Sequence, residues 1–341
     1  MRDLVLVANA GDGTVSSFRF TGGTLEPLTA SPVGQGCGTF VVDEARDLVY
    51  AASKSPSIDT FRLDRGTGTL TRQTVGDEAV STPVEASMAY VDLAHDGSVL
   101  VAASYGGDVA QTWTVDESGV LTGPVAQVEW HRAHCVVVRG DRLYVVSLGA
   151  DLVAQYELSP AGELTPLDPP TAAAPAGSGP RHLVFAADGR HAFVVTEFSG
   201  EVLTFDVDES TGALTPSSAR AFFPPDAGLS HSRLGAPPLE EHLIWGADVH
   251  QAGGHVLATE RTTSTLASLP LADDGSLGEP VARLSTPTQP RGFWVLDDAR
   301  HAVVAGERAT EVALVEIADD GSLVELGRFE TGAGANWVRA V

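Results

Sequence analysis

A seven-bladed β-propeller, all-β with four antiparallel strands per blade, is predicted from three features of this 341-residue chain. A Gly-x-Leu turn recurs at Gly23, Gly68, Gly119, Gly162, Gly212, Gly275 and Gly321, with 43 to 63 residues between successive copies. Between the turns lie short runs of Val, Leu, Phe, Tyr and Thr bounded by Gly and Asp, the chemistry of strands and hairpins. No long stretch carries apolar residues at helical spacing, which excludes helical repeats of similar period. Four-stranded units of this kind bury both faces only by stacking radially around an axis.

The clearest copy sets the order of elements. A strand over His182–Phe185 meets an Asp188-Gly189 turn, then a second strand over His191–Thr196 and a polar corner from Glu197 to Gly200. A third strand over Glu201–Val207 follows, then the Thr211-Gly212 turn and a fourth strand opening at Leu214. The third-strand pattern recurs around Val15, Ile58, Val109, Leu152, Val202, Leu266 and Val312. The first copy begins directly with a second-strand pattern, Leu4–Val7, while an orphan first-strand pattern, Asn336–Val341, ends the chain. The C-terminal strand is therefore expected to complete the N-terminal blade, leaving no free edge there and making 1–341 a single propeller domain. The longest departure from the repeat runs from Ser217 to Gly246 and reads as a lid or rim loop.

Composition narrows the function. Hydrophobic residues at 43% supply a sizeable core, and 21 basic against 45 acidic residues give a net charge of −24, which argues against nucleic-acid or anionic-membrane partners. No apolar run approaches the roughly 20 residues of a membrane span, and the N-terminus shows no signal-peptide pattern, so a soluble, cytoplasmic protein is expected. Cys37 and Cys135 are isolated and form neither a disulfide framework nor a ligand cluster. Asp248 and His250 share a strand face, but no third ligand stands out, so neither metal nor cofactor is expected.

Up-and-down topology separates two faces. Hairpins after strands one and three fall on one side of the ring; corners after strand two and entries into strand one fall on the other. The first side carries interchangeable Asp, Gly, Thr and Ser. The second carries Trp130-His131-Arg132-Ala133-His134, Pro180-Arg181-His182, Asp248-Val249-His250, Pro290-Arg291 and Asn336-Trp337 at the entries. Its corners carry Asn9, Ser53, Ser104, Glu197, Arg261 and Glu307. Strand one lies nearest the axis, so these side chains are expected to converge on the central mouth and focus a local positive potential on an anion. One His or Arg on a rim is ordinarily structural; convergence of the group is what points to a site. Trp113 and Trp294 read as core, and His95, His191, His231, His242, His255 and His301 as surface or rim.

At these residues the chain resembles the lactonase family of seven-bladed propellers, which includes propeller-type 6-phosphogluconolactonases and fungal carboxy-cis,cis-muconate cyclases. The resemblance is carried by Gly179-Pro-Arg-His-Leu-Val-Phe185, Asp188-Gly189 and Val194-Val-Thr-Glu197, and by Ala133-His134, Leu148-Gly-Ala-Asp151, Ala247-Asp-Val-His250, Thr259-Glu-Arg261 and Pro290-Arg291. It implies a catalytic set of His134, Arg181, Glu197 and Arg261. The chain departs from the family pattern at Arg132, Thr196, Glu260 and Gly306-Glu307, around the same mouth.

A carboxylate flanked by guanidiniums and an imidazole suits ester chemistry on an anionic ring, where water must be deprotonated and an oxyanion accommodated. Glu197 is expected to act as base toward water, Arg181 and Arg261 to hold the carbonyl or acidic group, and His134 to pass a proton to the leaving oxygen. Arg132, His182, His250, Arg291 and Trp337 are expected to add substrate contacts, Arg being suited to bidentate binding. The substrate is expected to be a small anionic lactone or unsaturated acid. Two other readings stay open: a cycloisomerase forming a lactone from a carboxy-muconate-like diacid, and a non-catalytic propeller binding a metabolite or protein.

Overall fold

In the computed structural model, which describes residues 2–341, the apolar runs form seven antiparallel sheets whose principal strands follow chain order from the axis outward. In the blade built from Pro180–Phe185, His191–Thr196, Glu201–Val207 and Leu214–Ala221, each strand pairs with the next. Second strands such as His191–Thr196 and Val99–Ser104 are buried along their whole length, because a neighbouring blade covers each face. Outer strands are mostly exposed; Leu323–Glu330 alternates between half-buried and exposed positions.

Seven hydrophobic clusters fill the seven gaps between adjacent blades; Tyr144 and Val146 of one blade, for example, pack with Val194 and Phe205 of the next. The repeated glycines serve these joints. Gly275 and Gly321 have φ of 79° and 82°, and a Cβ on either would lie 2.3 and 2.4 Å from the rings of His191 and His255 on the preceding blade. These two histidines, expected at the surface, are therefore buried beneath a neighbour's hairpin.

Closure is as the sequence predicts. Ala335–Ala340 pairs antiparallel with Leu4–Asn9, and Leu4 and Val341 exchange backbone hydrogen bonds. The rim segment differs at its start: residues 217–221 belong to the outer strand Leu214–Ala221, so the loop proper runs from Phe222 to Trp245. Phe222, Leu243 and Ile244 are buried and pin this loop to the ring. It holds the two short helical turns among the described residues, Pro225–Ala227 and Pro238–Glu241, and no described helix is long and apolar enough to cross a membrane.

Candidate active site

Two repeating positions build the site. The first is a β-bulge in the innermost strand. Pairing skips one residue between Ala133 and Cys135, between Pro180 and His182, between Pro290 and Gly292, and opposite Ala8/Asn9 between Ala335 and Trp337. The skipped residues are His134, Arg181, Arg291 and Asn336. A bulge leaves one residue outside the ladder and re-aims its side chain. All four line one axial cavity of about 440 Å³.

The second position is the residue immediately after each second strand. In chain order these are Ala10, Lys54, Tyr105, Leu148, Glu197, Arg261 and Glu307, and all but Leu148 line the same cavity. Thr196 fixes the Glu197 corner, its hydroxyl bonding the backbone of Glu201 on both sides and meeting the Ser199 hydroxyl. A Cβ on Gly246 would lie 2.1 Å from the Thr196 carbonyl, so the blades carrying Glu197 and Arg261 can approach this closely only with glycine there.

The centre is a carboxylate clasped by two guanidiniums. Arg181 Nε donates to Glu197 Oε2 at 3.0 Å, and Arg261 Nη2 reaches the same oxygen at 2.8 Å. Arg181 Nη1 also donates to the Ala247 carbonyl, and Arg261 Nη2 to the Gly246 carbonyl at 2.9 Å. The Arg261 guanidinium lies 3.9 Å above the Trp245 ring, a cation–π contact that the rim loop supplies. Beside them, Arg291 Nη1 donates to Glu307 Oε1 at 3.0 Å.

Burial alone would raise the Glu197 carboxyl, but Arg261 and Arg181 more than offset it and hold the group below the usual carboxylate range. Burial, with repulsion from Arg261 and Arg291, pushes Arg181 down to about 9, still protonated at neutral pH. Burial and the cations Arg181, Arg291 and Arg261 hold His134 well below the ordinary imidazole value, so its ring is neutral. Its buried Nδ1 has no hydrogen-bond partner among the described residues.

His182 stands behind this group rather than in the cavity. Arg181 Nη1 lies 3.2 Å from His182 Nε2, and His182 Nδ1 lies 2.7 Å from Asp248 Oδ1. Since a guanidinium only donates, Nε2 accepts and Nδ1–H donates to Asp248, fixing the tautomer. His182 thus orients Arg181. Three further expected contacts also fall outside the cavity lining. His250 packs edge-on against Phe293 and Trp294 and borders a depression with Gln251, Gly253 and Ala299 on the opposite face. Trp337 is buried, its indole N–H donating to the Phe40 carbonyl at 2.9 Å. Arg132 lies on the Tyr105 ring at 5.0 Å and bonds the Tyr105 carbonyl. Of the five expected binding residues, Arg291 alone reaches the cavity.

Glu260, one of the departures from the family pattern, points away from the mouth: its carboxylate accepts from the Trp245 N–H at 2.8 Å and from Thr263 N–H and hydroxyl at 2.6 and 2.7 Å. It anchors the rim loop that carries Trp245. Lys54, Tyr105 and Trp245 also line the cavity and lie outside the expected set. The expected corners Asn9, Ser53 and Ser104 stand one residue before the Glu197 register, and that register singles out Lys54 and Tyr105. Trp245 lies in the irregular loop, where no repeat locates it.

Comparison with known proteins places this arrangement among relatives. The family described as Lactonase, 7-bladed beta-propeller, matches residues 13–340. A 6-phosphogluconolactonase of Sodalis glossinidius is 29% identical over 323 residues, covering 92% of this chain and 91% of that protein. One from Serratia proteamaculans is 26% identical, covering 99% and 98%. The solved periplasmic gluconolactonase of Pseudomonas aeruginosa superposes with a TM-score of 0.84 at 23% identity, over 99% of this chain and 98% of that one, a likeness of fold. With the match spanning nearly every blade, the chain belongs to the lactonase family of seven-bladed β-propellers.

Proposed function

We propose that this protein hydrolyses the lactone of an anionic sugar acid, as the names of its 6-phosphogluconolactonase relatives indicate for them. The observation that carries the reading is the composition of the axial cavity: Arg181, Arg261 and Arg291 face it with only Glu197 and Glu307 to balance them, in a chain of net charge −24. A local positive surplus inside an acidic protein selects an anion. The Glu197–arginine pairing does not fill the opening, which retains about 440 Å³. That volume lies within the usual range for small-molecule sites, roughly 300–1,000 Å³.

Arg181 and Arg261, fixed by Glu197 and by backbone carbonyls, present their remaining N–H groups to the lactone carbonyl and to the oxyanion that forms there. His134 is favoured as the proton carrier. Its ring is neutral and lines the cavity, whereas Glu197 Oε2 already holds two guanidiniums. An anionic substrate offsets the cations that depress His134 and so raises its basicity on binding. Water adds to the carbonyl carbon as its proton passes to Nε2, the ring nitrogen open to the cavity; the ring C–O bond then breaks as the imidazolium returns that proton to the leaving oxygen, giving the hydroxy acid. Glu197 Oε1, free of protein partners among the described residues, positions the water. The cytoplasm remains the proposed location, and two buried free thiols, Cys37 and Cys135, are compatible with it.

The test is hydrolysis of 6-phosphoglucono- and glucono-lactones, measured above their spontaneous ring opening, by wild type and His134→Asn. Acceleration by wild type that falls about a hundredfold or more in the variant supports the reading. Wild type that accelerates no lactone overturns it.

A further inference from the structure

We propose that Lys54 is a specificity residue, reading a second anionic group on the substrate at the end remote from the lactone carbonyl. The inference rests on the lactonase reading and extends it to the part of the cavity that the arginines do not reach. Lys54 is the only lysine in the chain. It occupies the position after its blade's second strand, the register that delivers Glu197, Arg261 and Glu307, and it lines the same cavity. Its side chain enters no ion pair and no hydrogen bond with a described residue, although the chain carries 45 acids.

Its placement is built into the fold. The Lys54 N–H donates to the Gln35 carbonyl at 3.2 Å, and the stem lies over Gly36, where an added Cβ would fall 2.5 Å from the lysine Cγ. Gly36 has a φ of 70°, so both the backbone and the lysine stem require a residue without a side chain. Lys54 belongs to the second blade from the N-terminus, while Arg181 and Arg261 enter from the fifth and sixth. The blade that carries Lys54 therefore lies across the axis from the two that supply the guanidinium pair. The two carboxylates of the cavity lining, Glu197 and Glu307, are each held by arginines, and neither pairs with Lys54. An unpaired ammonium opposite a paired guanidinium cluster fits a ligand with its reacting carbonyl at one end and a phosphate or carboxylate at the other. Lysine acts there as a point charge on a flexible stem, suited to a group that varies in orientation.

The test is Lys54→Met, which keeps the stem over Gly36 and removes the charge from an exposed side chain. For 6-phosphoglucono-lactone, KM is expected to rise about three- to tenfold with kcat little changed, as suits an exposed charge contact. For unphosphorylated glucono-lactone neither constant should move. In parallel, calorimetry should show 6-phosphogluconate, but not gluconate, binding more weakly to the variant by a similar factor. Equal changes for phosphorylated and unphosphorylated ligands, or no change for either, overturn the role of Lys54. If wild type hydrolyses neither lactone, the lactonase reading falls, and the two binding measurements decide Lys54 independently.

Discussion

Arg181 and Glu197 leave adjacent strands of one blade, yet the bulge that ejects Arg181 brings its Nε to 3.0 Å from Glu197 Oε2. Arg261 from the next blade takes the same oxygen at 2.8 Å, so one carboxylate fixes two cations belonging to two sheets. Both guanidiniums are nearly inaccessible to solvent, and removing their counter-charge would leave them buried and uncompensated.

Glu197→Gln tests this clamp. The amide oxygen can still accept from one guanidinium, but the charge is gone and the second guanidinium loses its anion. Lactone turnover should fall by about a hundredfold, with a thermal midpoint several degrees lower from mutual repulsion of the arginines. Steady-state kinetics and calorimetry read the two effects separately. Wild-type turnover in the variant would remove Glu197 from the mechanism.

Arginine geometry is tested by Arg181→Lys. The guanidinium serves Glu197, the Ala247 carbonyl and His182 Nε2 at once, from a planar fork. A lysine keeps the charge but cannot span the three acceptors. Turnover is expected to drop roughly 100- to 1,000-fold, as for loss of an oxyanion donor. Retention of most activity would mean that charge, rather than directed N–H groups, is what Arg181 provides.

Much of the architecture can be read from the chain because it is written seven times. The Gly-x-Leu turns mark hairpins whose glycines carry positive φ and pack against the preceding blade, as Gly275 does on His191. The clasp of Ala335–Ala340 on Leu4–Asn9 follows from one missing and one orphan strand. Site residues are harder to read, since alternation along a strand does not reveal where it bulges. His182 and Trp337 sit beside Arg181 and Asn336 in sequence, yet the bulge sends the latter into the cavity and leaves the former packed among other side chains. His250 lies beyond the irregular stretch between Gly246 and Val249, far enough along its strand to reach the opposite face. The rim loop has no repeat behind it, and Trp245 is visible only once folded.

Burial sets a pH dependence of stability that His182 exposes. Burial, with Arg181 beside it, lowers its pKa to about 4, from 6.5 for a free imidazole. The unfolded chain therefore takes up this proton at higher pH than the native state does. Stability from the neutral ring is fully present above about 6.5 and is lost as pH falls toward 4. Asp92 acts oppositely: burial raises its carboxyl from 3.8 to about 6, so its contribution is present at low pH and fades as pH rises through that window. Removing Asp92 with Asp92→Ala should therefore steepen the fall in stability on acidification between about pH 6 and 4, while His182→Gln should flatten it. Urea titrations across pH 4–8 measure both slopes. If neither variant changes the slope in that window, these two groups do not govern acid stability.

Gly321→Ala probes the joint between the last two blades. The glycine has a φ of 82°, and a Cβ there would lie 2.4 Å from His255 Nε2 and 2.8 Å from Val281. The substitution imposes both backbone strain and a clash on a buried ring, so it should destabilise by roughly 2–4 kcal/mol. The double variant Gly321→Ala/His255→Ala separates the ring from the rest: removing the ring relieves the two shortest contacts and leaves the backbone cost of about 1 kcal/mol together with the Val281 contact. Denaturant midpoints give the coupling directly. Additive losses in the double variant would show that the glycine is needed for its dihedral or its approach to Val281, and that the buried histidine is no part of the inter-blade lock.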